Sequence, residues 1–100
     1  MKGYKVKESN LVKKTINELN KIPGCLVRKR HAGPWRKGLA DITGCINGIH
    51  IELECKVGDN KPTRLQAHWL KKWAANGAIA GWFTSIEQAL EIVKNRIKSG

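Results

Sequence analysis

Acidic residues are scarce in this 100-residue sequence, where eight Asp and Glu stand against 19 Lys and Arg. The formal net charge is +11, which is typical of proteins with a polyanionic partner such as nucleic acid or an anionic membrane. Long hydrophobic runs are missing: none approaches the roughly 18 residues of a membrane span, and no signal segment follows Met1. We therefore expect a soluble protein that is made and kept inside a cell.

Cysteine is sparse as well. The chain has three, Cys25, Cys45 and Cys55, an odd number without any C-x-x-C spacing. This pattern argues against a disulfide framework and against a four-ligand zinc site. Each cysteine lies in strand-like surroundings, where a free thiol behaves as a small hydrophobic side chain. We expect buried core thiols rather than a reactive nucleophile.

The rest of the composition, 41% hydrophobic and 27% charged, is that of a globular chain. One hundred residues suffice for one domain with a modest core and are too few for two. We therefore predict a single domain over residues 1–100. Residues 1–7 contain three lysines and are predicted to form a basic N-terminal arm.

Apolar spacing predicts a first helix over residues 8–21, which Pro23-Gly24 stops. A half-exposed strand is predicted over 25–31, followed by a loop over 32–38. Asn47-Gly48 then separates two apolar-rich runs, 41–46 and 49–57. Because both residues of such a turn adopt positive φ, this pair is a strong indication of a β-hairpin.

The C-terminal half alternates again. A helix is predicted over 64–76 with Thr63 as its N-cap and Gly77 at its stop, then a strand over 78–84. Ser85 caps a last helix with a regular apolar stripe. The order α-β-β-β-α-β-α predicts one α/β domain with a mixed sheet and helices packed on it.

Three of the eight acids, Asp41, Glu52 and Glu54, fall within the predicted hairpin, among basic residues. Alternation along the strand places Glu52 and Glu54 on one face, with His50 and Lys56, and the apolar residues on the other. One interpretation is a solvated strand face whose charges offset one another. It accounts for the alternation but not for acids concentrated where a basic partner surface is expected.

The other interpretation is chemical. Hydrolysis of a phosphodiester needs a cation to neutralise developing charge and a positioned water. A hard cation such as Mg²⁺ takes one or two carboxylates, with water and phosphate filling its shell. Asp41 and Glu54, on adjacent strands, can supply the carboxylates, and the backbone carbonyl of Cys55 a third ligand. Lys56 points to the same side and can orient or deprotonate the water, or stabilise the transition state.

These residues carry a family resemblance. Asp41, followed after twelve residues by Glu54-Cys55-Lys56, resembles the D…E-x-K signature of the PD-(D/E)XK nuclease superfamily. More narrowly, Gly38-x-x-Asp41, the strand ending in Glu54-x-Lys56, and Leu65-Gln66 opening the next helix resemble the VRR-NUC family, the virus-type replication-repair nucleases. The resemblance covers residues 8–84. Ala40 stands where the pattern often has proline.

The resemblance implies a restriction-endonuclease-like αβββαβ core, here with an added C-terminal helix. It implies Mg²⁺- or Mn²⁺-dependent DNA cleavage, with Asp41 and Glu54 as metal ligands and Lys56 at the catalytic water. Gln66 would be a supporting catalytic residue and Glu8 a further acidic one. It also implies a homodimeric endonuclease selective for branched, junction or flap DNA, encoded by a phage and acting in the host cytoplasm.

Several of these residues have a simpler interpretation. Asp41 could be a turn acid, and Glu54 with Lys56 a surface pair. Thr63-x-x-Gln66 is a capping box in its own right. An acid at position 8 is favoured by the helix dipole alone. Glu52 could reach a second ion or only balance a nearby lysine.

Further residues are candidates for DNA binding. The predicted set is Arg28, Lys29, Arg30, Trp35, Arg36, Lys37 and Arg64. Trp35, in a Gly-Pro loop, could stack on a base or be buried under the loop. The spacing of Leu65, Trp69 and Trp73 on one helical face predicts core or dimer interface rather than a stacking platform. The rival to a nuclease is a basic DNA-binding protein without catalysis, in which the hairpin acids would only repel phosphate.

Overall fold

The computed structural model describes residues 7–31 and 37–99. In chain order its elements are α1 (Glu8–Leu19), β1 (Cys25–Lys29), β2 (Ile42–Ile46), β3 (Ile49–Cys55), α2 (Arg64–Ala75), β4 (Ile79–Phe83) and α3 (Ile86–Ser99). This is the predicted order. Most of the predicted basic arm, together with Trp35 and Arg36, lies outside the described residues.

The four strands form one mixed sheet in the order β1-β2-β3-β4. The β1–β2 and β2–β3 pairs are antiparallel, and β4 joins β3 in parallel. Asn47 (φ 49°) and Gly48 (φ 85°) turn the chain between β2 and β3, as the sequence predicts. A turn with two positive φ angles matches the right-handed twist of the strands it joins.

Helices cover both faces of the sheet. On one face, Glu8 of α1 lies against Cys55, and a Cβ added to Gly81 of β4 would lie 3.3 Å from Ile92 of α3. The main core lies on this side, where Ile51, Leu53 and Phe83 are fully buried. Burial of each such side chain contributes roughly 1.5–3 kcal/mol. The other face receives α2.

The position of α2 overturns one interpretation of the sequence. Residues Ile51, Leu53 and Cys55 are buried as expected, but Glu52 and Glu54 on the opposite face are only 1% and 2% exposed. That face is therefore not solvated, and Glu54 with Lys56 is not a surface pair. The apolar residues of β3 face α1 and α3, and its paired polar residues face α2.

The core alternative for this face of α2 was wrong for two of its three residues, because Leu65 and Trp69 are exposed to 42% and 37%, while Trp73 is half-buried. The other alternative, a dimer interface, stays a prediction. The first helix ends at Leu19, not at residue 21. The Asn20 side chain instead binds β1, donating from Nδ2 to the Val27 carbonyl (3.0 Å) and accepting from the Val27 N–H (2.8 Å).

Between residues 7 and 31 and between 37 and 99, no helix has the length and apolar character needed to cross a bilayer.

Candidate active site

A cleft of about 580 Å³ opens where the first residue of α1, the segment before β2, the end of β3 and the start of α2 meet. Its lining includes all five residues that were predicted to be catalytic: Glu8, Asp41, Glu54, Lys56 and Gln66. The fold thus brings together, in one cleft, side chains that are far apart in the sequence, from position 8 to position 66.

Asp41 is held against the end of β3. It directly precedes β2 and is 9% exposed. Its Oδ2 accepts a hydrogen bond from the Cys55 N–H (3.1 Å), and its carbonyl oxygen accepts one from the Arg30 N–H (2.7 Å). The carboxylate therefore reaches across to the neighbouring strand at the residue between Glu54 and Lys56.

Glu54 is a buried carboxylate that is only partly satisfied by its neighbours. Its Oε2 accepts a hydrogen bond from Gln66 Nε2 (3.0 Å) and lies 3.2 Å from Lys56 Nζ, but its buried Oε1 has no hydrogen-bond partner. Burial, and then the charge of Asp41, raise the pKa of Glu54 to about 7, against the opposing effect of Lys56. Lys56 therefore offsets only part of the cost of ionising this buried carboxylate.

The sequence left open whether Gln66 caps α2 or contacts the carboxylates, and its side chain does both. Thr63 Oγ1 accepts from the Gln66 N–H (3.1 Å), and Gln66 Oε1 accepts from the Thr63 N–H (2.9 Å), which completes the capping box. Because the amide oxygen is fixed by the cap, the amide nitrogen faces Glu54. The start of α2 thereby positions a site residue.

The cysteine thiols have no features of nucleophiles. Burial first, and then Glu8, raise the pKa of Cys55 to about 12, so the thiol stays protonated at neutral pH. Burial, with Cys45 adding to it, also raises the pKa of Cys25. All three cysteines are free, with Cys25 and Cys55 buried and Cys45 half-buried. A ligand role for the Cys55 carbonyl stays a prediction.

Glu52 lies on the same face of β3 as Glu54, but it is in a separate polar network and does not line the cleft. Each of its carboxylate oxygens lies 2.6 Å from Arg30 Nη2. Thr43 Oγ1 donates to Glu52 Oε2 (2.6 Å), and His50 Nε2 lies 2.7 Å from the same atom. The partner that balances Glu52 is therefore an arginine rather than the lysine considered above.

Arg30 was considered only for DNA binding, yet it supports the candidate site. Its Nε donates to the carbonyl of Ala40 (2.9 Å), the residue before Asp41. The ion pair with Glu52 spans 22 positions of sequence. No local pattern could have revealed it, because the contact depends on how β1 and β3 flank β2.

The remaining predicted DNA-binding residues divide into groups. Lys37 and Arg64 are exposed and line the cleft. Lys29 lines a groove beside α1, and Arg28 Nη2 lies 2.7 Å from His31 Nε2 on the surface. Trp35 and Arg36 fall in the part of the chain that is not described. Of the predicted DNA-binding residues, Lys37 and Arg64 are therefore best placed to contact a ligand that is bound in the cleft.

A divalent cation fits this donor set. Among the described residues, no group of three His, Cys, Asp or Glu side chains forms a metal site by itself. Mg²⁺, however, usually takes one or two carboxylates and completes its shell with water and phosphate. Glu54 Oε1, buried without a partner beside Asp41, is the kind of oxygen that such a cation would satisfy.

Comparisons with known proteins address the fold. No protein-family model matches the sequence, and no curated protein matches it. The fold is similar to that of a solved structure described as a "VRR_NUC domain protein", with a TM-score of 0.75 over 100% of this chain and 93% of that chain. The two sequences are 16% identical, so the likeness concerns the fold. It confirms the predicted restriction-endonuclease-like α/β core.

Proposed function

We propose that this chain is one nuclease domain that hydrolyses DNA phosphodiester bonds with Mg²⁺ or Mn²⁺. The observation that carries the proposal is the buried Glu54 carboxylate. In a protein of net charge +11, one oxygen of this group is left without a partner beside a second carboxylate. Burying such a charge is costly unless a cation compensates it.

Each cleft residue has a role in this proposal. Asp41 and Glu54 hold the cation, with the Cys55 carbonyl as a third ligand. When bound, the cation neutralises charge on the phosphodiester and lowers the pKa of a water. The Lys56 ammonium, 14% exposed at the cleft, orients that water or stabilises the developing charge. Gln66 keeps Glu54 Oε2 in place, and Glu8 adds negative charge at the rim.

The surrounding cations would bind the DNA backbone. Lys37 and Arg64 at the cleft, with Arg28 and Lys29 on β1, are exposed and can neutralise phosphates. Arg30 is engaged by Glu52, so we assign it to positioning rather than to DNA. Selectivity for branched DNA and action as a homodimer, which the family resemblance implies, remain part of the proposal.

A non-catalytic DNA-binding protein is the rival. Such a protein gains nothing from two buried carboxylates within its basic surface, since they repel phosphate and cost desolvation. In a nuclease the bound cation reverses their effect. The two functions therefore make different predictions for variants that lack these carboxylates, both for metal-dependent cleavage and for DNA binding without metal.

The test is cleavage of labelled four-way junction, flap, nicked and linear DNA with Mg²⁺, Mn²⁺ or EDTA. We expect Asp41→Ala, Glu54→Ala and Lys56→Ala each to abolish metal-dependent cleavage while leaving the fold largely intact. In EDTA, Asp41→Ala and Glu54→Ala should bind DNA at least as tightly as the wild type, because a repulsive charge is gone. Glu87→Ala, an exposed acid on α3, is the matched control. Full activity of the Asp41→Ala/Glu54→Ala double variant would exclude the mechanism.

A further inference from the structure

Two large apolar side chains are exposed at the rim of the cleft. Leu65 and Trp69 lie one turn apart on α2, and Leu65 lines the cleft directly. A Cβ on Gly38 would lie 2.6 Å from Leu65 Cγ and 3.1 Å from Trp69 Cδ1, so the Gly38 backbone packs against both. The two side chains, here called the apolar rim, are therefore one continuous surface that adjoins the proposed metal ligands.

Positively charged side chains lie next to the apolar rim. Lys37 and Arg64 line the same cleft, and Lys72 Nζ lies 6.0 Å from the centre of the Trp69 ring. A second copy of this chain would bring its own excess of positive charge to that surface. A nucleotide, in contrast, has an apolar base face and a negative phosphate, so it matches both properties of the rim.

We propose that Leu65 and Trp69 bind an unstacked nucleobase next to the phosphodiester to be cleaved, which selects DNA with unpaired nucleotides. In a duplex the base faces are covered by their neighbours, so only single-stranded or branch-point nucleotides can offer one to Trp69. The proposal rests on the DNA substrate proposed above.

The spacing suits this arrangement. Leu65 lines the cleft together with the carboxylates, and the four residues of helix from Leu65 to Trp69 advance about 6 Å. A strand whose phosphate reaches the carboxylates would thus bring a nearby unstacked base within reach of Trp69. An indole is a flat π-system, which suits stacking without sequence preference, and that of Trp69 is partly exposed.

The experiment measures binding in EDTA, where no cleavage occurs. A labelled oligonucleotide, single-stranded or annealed to its complement, is titrated with the wild type and with Trp69→Ala, Leu65→Ala and Trp69→Phe. Trp82→Ala is the matched control, because Trp82 is as exposed (41%) but lies on β4, in a separate groove on the other side of α2. Circular dichroism confirms that each variant is folded.

We expect Trp69→Ala to weaken single-strand binding roughly 5- to 100-fold and duplex binding less than about 2-fold. Leu65→Ala should have a smaller effect of the same kind, Trp69→Phe should retain most of the affinity, and Trp82→Ala should change neither. An equal loss on both DNAs, or none on either, would overturn the proposal. So would dissociation of a dimer by Trp69→Ala without a change in DNA preference.

Failure of this inference is separable from failure of the nuclease proposal. If Asp41-dependent cleavage is found and Trp69→Ala leaves single-strand binding unchanged, only the base-binding role is wrong. If no DNA is cleaved but Trp69→Ala selectively loses single-strand affinity, the base-binding role stands and catalysis does not.

Discussion

Glu54→Gln should stabilise the metal-free protein while removing a proposed metal ligand. The substitution keeps the shape of the side chain and an oxygen to accept from Gln66 Nε2, but it removes the ionisable group. In the metal-free protein the Glu54 pKa is raised from 4.5 to about 7, chiefly by burial and then by Asp41. Ionised Glu54 therefore destabilises the fold, and its neutral replacement should not.

The magnitude and the sign follow from linkage. Because the folded pKa lies above the unfolded one, the stabilising contribution is complete below about pH 4.5 and is lost as pH rises through about 7. A difference of this size corresponds to about 3 kcal/mol. At pH 8 in EDTA, Glu54→Gln should thus be about 3 kcal/mol more stable than the wild type, and near pH 4 the two should be similar.

Urea unfolding followed by circular dichroism at both pH values measures this difference. Glu91→Gln, at an exposed position beyond the first turn of α3, is the control and should change stability by less than about 0.5 kcal/mol at either pH. Adding Mg²⁺ should stabilise the wild type but not Glu54→Gln, since a ligand stabilises only the state that binds it. A wild type that is more stable than Glu54→Gln at pH 8 without metal would refute the reasoning.

Two other perturbations test the supports of the site. Glu52→Gln breaks a buried ion pair and should lower the free energy of unfolding by about 3–5 kcal/mol. The control Glu18→Gln breaks an exposed ion pair and should lower it by under about 1 kcal/mol. Equal losses for the two variants in urea unfolding would contradict the role of burial. Gly38→Ala combines a φ of 81° with a Cβ 2.6 Å from Leu65 Cγ, whereas Gly48→Ala has a φ of 85° and open space. Both variants should lose about 1–2 kcal/mol of stability from backbone strain, and thermal melts should show a further loss only for Gly38→Ala.

The features that were predicted correctly from the sequence depend on residues that lie close together along the chain. Asn47-Gly48 needs only its own backbone preferences to form the hairpin, and the Thr63 cap needs only Gln66 three residues later. Asp41 and Glu54 also line one cleft, as their placement on adjacent strands suggested, while their catalytic role stays a prediction.

The features that were missed depend on where α2 docks. Alternation along β3 shows which residues share a face, but it cannot show that a helix covers the charged face. The burial of Glu52 and its pairing with Arg30 follow from that docking. For the same reason, the apolar stripe on α2 could not reveal that Trp73 turns inward while Leu65 and Trp69 remain at the surface.

The shared capping box has a kinetic consequence. Helix ends open and close locally, and helix–coil relaxation takes on the order of 0.1–1 μs. Each time the first turn of α2 opens, Thr63 releases Gln66 and Gln66 releases Glu54, so the site disassembles with the helix end. A ligand that engages Glu54 would hold this turn closed. We therefore expect amide hydrogens at the start of α2 to exchange more slowly when the cleft is occupied, because a bound ligand and the capped helix end would stabilise each other.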